Sequence, residues 1–146
     1  MSDKKENGKS LAAEIYKNTK MGADSITDLI GHVENEKLRV EMTSELDRYE
    51  ELASRAAKLS RDRGEEPKEE GALAKAAVKM SMAVNTMADS SASHIAEMMI
   101  QGTNMGIIDI NKALNGTKNL SPQAAKQAKE MLSREQQYID SLKRFL

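Results

Sequence analysis

Apolar or small residues recur every three or four positions in the first half of the chain, which is the spacing of a helix with one buried face. In the first segment these positions are Leu11, Ile15, Thr19, Gly22, Ile26, Leu29 and Val33. In the second they are Leu38, Met42, Leu46, Tyr49, Leu52, Ala56 and Leu59. The pattern predicts helix 1 over about 10–31, with Gly31 as its C-terminal cap, and helix 2 opening at Asn35. Residues 1–9 are polar and are predicted to form a disordered tail.

The clearest break in the pattern is the charged stretch 61–71, where Gly64 and Pro67 interrupt the helical spacing. The stretch from Gly71 to Asn115 is too long for one typical helix, and Asp89-Ser90-Ser91 supplies capping side chains in its middle. We therefore predict a short amphipathic helix at 72–87 and helix 3 at about 90–115.

The link between helix 3 and the last helix is marked on both sides. Asn115-Gly116 stops the preceding helix, and Ser121-Pro122 supplies an N-cap and a first-turn proline. Helix 4 is predicted over about 122–145.

Four long helices with short first and third links and a long middle connection, 63–88, have the connectivity of ferritin-like folds. The sequence therefore predicts an all-α, ferritin-like four-helix bundle over 10–146, with a long crossover from helix 2 to helix 3 that contains the short helix. If helix 3 began at Gly71, the alternative would be a bundle with one overlong helix.

Composition supports this class and narrows the partners. The 146 residues are 31% charged and only 3% aromatic, which favours long helices over a β-sandwich. Basic and acidic residues, 22 and 23, are mixed along the chain, so no basic patch predicts nucleic-acid or membrane binding. The absence of cysteine excludes disulfides and thiolate metal sites. No apolar stretch is as long as that of a signal peptide or a membrane span, which predicts a cytoplasmic protein. A homo-oligomer or a protein partner stays open.

Polar residues on inward-facing stripes are the candidates for function. Glu135 interrupts the apolar stripe of helix 4, and Glu45 lies near the inner edge of helix 2. In helix 3 one broad face is unusually polar for a core, with Glu97 at its margin. This face carries Met87, Ser91, His94, Met98, Gln101, Gly102, Met105 and Asp109.

These residues support two interpretations. In the first, four side chains converge inside the bundle: Glu45, Glu97, Glu135 and His94. They bind a metal ion, as carboxylates and imidazoles from separate helices do in di-iron and di-manganese proteins, or they form a buried cluster that transfers protons. In the second, His94 is a hydrogen-bonded core histidine and the glutamates lie at the bundle edge, with their aliphatic stems covering apolar surface. The second is favoured, because amphipathic helices often carry one carboxylate at the edge.

Ten methionines are a further feature of the sequence. They fit gap-filling in the core better than an adaptable binding groove or a soft-metal surface. Gly102 and Gly106 lie on one side of helix 3, where they permit close helix packing.

Two segments carry a resemblance to a known group. These are EIYKNTKMGADSI at 14–26 and SSASHIAEMMIQGTNMGIIDI at 90–110. With them, residues 14–145 resemble small uncharacterised ferritin-like proteins of low-GC Gram-positive bacteria. The resemblance implies the fold but no established activity.

The ligand pattern of ferritin-like di-iron proteins is degenerate here. Those proteins place a Glu on each of two helices and Glu-x-x-His on the other two. Helix 4 instead has Tyr138 three residues after Glu135, helix 2 has Tyr49 three residues after Leu46, and helix 3 has the reversed order His94 to Glu97.

The function expected from these departures is therefore that of a non-enzymatic helical bundle of structural or interaction type, with no cofactor. The alternative is a protein that binds iron or manganese through carboxylates, with Glu97, Glu135, Glu45, His94 and Tyr138 as candidate ligands.

Overall fold

The computed structural model describes residues 2–68 and 71–146, with the side chains of 2–10, 72, 73 and 87 excepted. The described residues form five α-helices and no strand, which confirms the predicted all-helical class. The helices are α1 (Ser2–Leu29), α2 (Glu36–Asp62), α3 (Ala72–Ala88), α4 (Ala92–Gly116) and α5 (Pro122–Leu142). Short 3₁₀ turns follow α1 at Ile30–His32 and α5 at Lys143–Phe145. Within this part of the chain, no helix is both long enough and apolar enough to cross a membrane.

The predicted N-caps are confirmed at three helices. Asn35 accepts a hydrogen bond from the backbone N–H of Leu38 over 3.0 Å at the start of α2. Ser91 and Ser121 cap α4 and α5 in the same way. Each side chain satisfies one of the backbone donors that a helix leaves unpaired at its first turn. The split between α3 and α4 at Asp89–Ser91 follows from this capping chemistry.

The two ends of α1 differ from the prediction. The helix begins at Ser2 rather than near residue 10, since the lysines and glutamate of this stretch are good helix formers. The disorder predicted for 1–9 stays a prediction, because Met1 and the side chains of 2–10 lie outside the described residues. Gly31 is not a left-handed cap. It lies within the 3₁₀ turn, which closes through a bond of 3.2 Å from the Val33 N–H to the Ile30 carbonyl.

Gly64 is the glycine that ends a helix through its backbone conformation. Its φ of 79° lies in the left-handed region that favours glycine. This geometry lets the N–H of Glu65 reach back to the carbonyl of Ser60, over 2.9 Å. That bond satisfies a carbonyl left over at the end of α2.

Two buried clusters show how the long helices run relative to one another. At one end of the bundle, the last part of α1 meets the first half of α2, the start of α4 and the end of α5, through Ala23, Ile26, Leu29, Leu38, Met42, Tyr49, Ile95, Met99, Tyr138 and Leu142. At the other end, the remaining halves meet through Leu11, Ile15, Leu52, Ala56, Ile110, Ala124, Ala128 and Met131. This grouping makes α1 antiparallel to α2 and α4, and makes α2 parallel to α4.

The short helix α3 lies against α1 rather than in the core. Two ion pairs join these helices, Lys75 to Asp24 over 3.5 Å and Lys79 to Asp28 over 3.4 Å. On its other sides α3 leaves apolar side chains in solvent, among them Met80, which is 70% exposed, and Val84. Exposed ion pairs contribute little stability, so these two pairs attach α3 to α1 only weakly.

Gly22 sets how closely α1 approaches α2. A Cβ atom built on Gly22 would lie 2.6 Å from the Cε2 atom of Tyr49, closer than real Cβ contacts. The Tyr49 ring is buried and its hydroxyl is hydrogen-bonded, so it has little freedom to move away. Any larger residue at position 22 must therefore displace either the ring or the helix.

We expect Gly22→Ala to lower the free energy of unfolding by about 1–3 kcal/mol, because overpacking outweighs the better helix propensity of alanine. Urea unfolding of the wild type and the variant measures this difference. Gly102→Ala is the matched control, since a Cβ on Gly102 meets no atom within 4 Å. The control should be neutral or gain up to ~1 kcal/mol of stability. Equal effects at both glycines would contradict the packing role of Gly22.

Candidate functional site

Two glutamates from different helices lie inside the bundle. Glu45 of α2 is 0% exposed and Glu135 of α5 is 2% exposed. Both therefore lie fully inward, and Glu45 is deeper than its predicted place at the inner edge. Carboxyl groups are rarely buried without partners, since removing a charge from water is costly.

Each carboxyl group has one strong partner. The Nη1 atom of Arg48 donates to Oε2 of Glu45 over 3.0 Å. Arg48 follows Glu45 by three residues, so it reaches back along α2 while its own guanidinium stays partly in solvent. The hydroxyl of Tyr49 donates to Oε2 of Glu135 over 2.9 Å and links α2 to α5.

The two carboxyl groups are near enough to each other that each affects the pKa of the other. The remaining oxygen of each group, Oε1, is buried without a protein donor among the described residues. A carboxyl–carboxyl hydrogen bond requires one proton between the groups, since two ionised carboxylates have only acceptors. A proton shared between the two groups would give both remaining oxygens a partner and leave the pair with a single negative charge beside Arg48.

The electrostatics favour the same protonation state. Burial raises the pKa of Glu45 to about 7, although the charge of Arg48 and its hydrogen bond oppose the shift. Burial also raises the pKa of Glu135 to about 8, with a further increase from the charge of Glu45. Desolvation is the first cause at both groups, because the interior penalises the charged form. At neutral pH the pair therefore holds a proton that free glutamates would release.

A second tyrosine completes the cluster. Tyr138 is buried beside the carboxyl pair, and its hydroxyl has no protein partner in the part of the chain that the structure describes. Burial, followed by the charges of Glu45 and Glu135, raises the pKa of Tyr138 well above its usual value. Burial and the same two glutamates raise the pKa of Tyr49. Both phenols thus remain neutral, and the site is a cluster of two carboxyl and two phenol groups.

The other candidates from helix 3 do not join this cluster. Glu97 is exposed, because Ile95, Ala96 and Met99 take the inward positions on α4 and a step of about 100° per residue turns Glu97 outward. His94 is half-buried, and its Nε2 has no partner among the described residues, so it is not the hydrogen-bonded core histidine of the second interpretation. Among the side chains that the structure describes, no three from His, Asp or Glu are grouped to hold a metal ion.

The polar face predicted to point inward on helix 3 is also not the core face. The buried residues of α4 are Ile95, Ala96, Met99, Thr103 and Ile110. The predicted face is rotated from these, and its members Gln101, Gly102, Met105 and Asp109 are exposed. The prediction was wrong because the mixed composition of this face indicated a polar interior, whereas the face lines a groove beside α3.

Two residues of the site, Arg48 and Tyr49, were missed as functional. Tyr49 was assigned to the apolar stripe, which describes its ring but not its hydroxyl. The available signal was their spacing of three and four residues from Glu45, which places all three side chains on one side of α2. No protein-family model, curated protein or solved structure matches the chain.

The raised pKa values predict how stability depends on pH. Between about pH 4.5 and pH 8 the folded protein binds more protons at this pair than the unfolded chain does, so its stability is highest at the acid end and falls as pH rises. We expect the free energy of unfolding to drop by at least ~1 kcal/mol between about pH 5 and pH 9. Urea unfolding at a series of pH values measures this change.

Glu135→Gln should flatten that dependence, because the amide keeps an acceptor for Tyr49 and a donor for Glu45 but does not titrate. Glu130→Gln is the control. The hydrogen bond from Arg55 lowers the pKa of Glu130, so its contribution is lost at acid rather than alkaline pH. A full alkaline decline in Glu135→Gln would show that other groups cause it.

Proposed function

We propose that this chain is a non-enzymatic, ferritin-like helical bundle of the cytoplasm that acts as a structural or interaction protein. The pairing of α1 with α2 and of α4 with α5, with a long connection through α3 between the parallel α2 and α4, supports the ferritin-like part of the proposal. The resemblance of segments 14–26 and 90–110 to small ferritin-like proteins points the same way.

The non-enzymatic part of the proposal rests on how the buried carboxyl groups are paired. Ferritin-like metalloproteins hold their metals with carboxylates and histidines that project into the bundle. Here the buried carboxyl groups of Glu45 and Glu135 are hydrogen-bonded to Arg48 and Tyr49, respectively. A cluster held at one negative charge and already paired with a guanidinium is a poor host for two divalent cations.

Exposed apolar side chains support the interaction role. Met80 and Val84 of α3 and Met105 and Ile108 of α4 are each more than half exposed. Such residues occur singly on most proteins, but here they accumulate on two neighbouring elements of the chain. Flexible methionine side chains adapt to differently shaped partners, which suits a binding surface.

The alternative is a protein that binds iron or manganese through carboxylates. The observation that favours it is the trio of buried oxygen atoms without protein donors, on Glu45, Glu135 and Tyr138. Oxygen donors of this kind suit manganese and iron. An ion there would have to displace the shared proton and would lie close to Arg48, and Glu97 would contribute nothing from its exposed position.

Addition of Fe(II), Mn(II) or Zn(II) separates the two proposals. For chelator-treated protein we expect no tight stoichiometric binding and an unchanged melting temperature. The melting temperature reports binding because a ligand that binds only the folded state raises its stability. Equilibrium dialysis and thermal melts measure both quantities. A clear rise in melting temperature with two bound equivalents, lost in Glu135→Gln but kept in the surface variant Glu97→Gln, would establish the metalloprotein instead.

A further inference from the structure

A groove between α1, α3 and α4 leads from the surface to the carboxyl cluster. Its volume is about 450 Å³, within the range of small-molecule sites. At the outer end lies Met105, which is 66% exposed, and at the inner end lie the buried Tyr49 and Glu135. The groove therefore connects solvent with a polar group in the middle of the bundle.

The walls of the groove are largely apolar. Six of the ten methionines line it, namely Met21, Met82, Met98, Met99, Met105 and Met131. Gly102 keeps the wall open, since no atom lies within 4 Å of the position that its Cβ would occupy. Along α4, the path from Met98 to Met105 is about 10 Å long at ~1.5 Å per residue. An extended, unbranched apolar chain suits this shape.

The inner end of the groove offers an acceptor for a ligand. The Oε2 atom of Glu135 accepts a hydrogen bond from the Tyr49 hydroxyl, whereas the buried Oε1 atom has no partner among the described residues apart from the proton shared with Glu45. Because Tyr49 donates its single proton to Glu135, neither residue presents a free donor to the groove while the carboxyl pair holds its proton internally. A ligand must therefore bring the donor.

The charges nearer the surface favour a cation. Besides Glu135, the charged residues that line the groove in the described part of the chain are Glu14, Lys17 and Asp109, and together these three carry a net negative charge. A carboxylate ligand would meet Glu135 with like charge. An ammonium group would be attracted by the outer charges and would pair with Glu135 in a site of low dielectric, where such pairs are strong.

We propose that the groove binds a small amphipathic amine, with its apolar chain along the methionines and its ammonium group donating to Oε1 of Glu135. The ammonium takes the place of the proton shared with Glu45, and that proton is released to solvent. This assignment rests on the proposed interaction role and names the chemical class of the ligand. It also explains why an α4 face of methionine, glycine and polar residues is turned away from the core.

The probes are octylamine, octanol and octanoate, which share one apolar chain and differ in the head group. Titration calorimetry is carried out on the full chain, with a chelator present, below the concentrations at which the probes aggregate. We expect octylamine to bind about tenfold or more tightly than octanol, because a hydrogen bond to a charged group is stronger than a neutral one, and octanoate not to bind. Equal binding of the three probes would overturn the proposal.

Two variants locate the site. Glu135→Gln should weaken octylamine binding about tenfold or more and leave octanol binding nearly unchanged. Gly102→Leu should weaken both, since its side chain enters the open part of the groove. Glu97→Gln, on the same helix but outside the groove, is the control and should bind as the wild type does. Thermal melts show that each variant is folded.

Unchanged octylamine binding in both Glu135→Gln and Gly102→Leu would place the ligand elsewhere and overturn the assignment. Because metals are excluded from these titrations, failure of amine binding leaves the metal-free bundle intact as a proposal. Metal uptake in the separate dialysis experiment would overturn that proposal without bearing on the amine.

Discussion

Glu45 of α2 and Glu135 of α5 are both buried inside the bundle, where neighbouring side chains must offset the free-energy cost of removing two acids from water. The partly exposed Arg48 donates a hydrogen bond to Glu45, and the buried Tyr49 of α2 donates one to Glu135 of α5. The position of Tyr49 in turn requires that α1 present a glycine to its ring. A polar contact between two helices thus determines how a third one packs, and a shift of α2 along α5 would leave an acid without its partner.

The sequence predicted the features that depend on local chemistry. Helical periodicity located the long helices, and the side chains of Asn35, Ser91 and Ser121 located where three of them begin. The inward position of Glu135 also followed from periodicity. The predictions that failed concern contacts between residues of different helices. The rotation of α4 is set by its packing against α1 and α5, which the pattern of α4 alone does not reveal, and Glu45 and Glu135 come from positions far apart in the chain.

Glu135 belongs to two environments at once. On one side it is part of the cluster with Glu45 and the tyrosines, and on the other it lines the methionine groove. Occupancy of the groove is thereby coupled to the proton held by the cluster, because both involve the same carboxyl group. The coupling needs no moving part, since it acts through a single side chain. Through this one carboxyl group, the binding of a ligand would alter the protonation of the cluster.

The ion pairs that attach α3 to α1 have a consequence for motion. Lys75–Asp24 and Lys79–Asp28 lie at the surface, where dissolved salt screens them, and most of the described apolar side chains of α3 are exposed. Local detachment of this helix should therefore require less free energy than unfolding of the four long helices. Its backbone amides would exchange with deuterium early, and faster as ionic strength increases, while those around Tyr49 and Glu135 exchange only when the whole bundle opens.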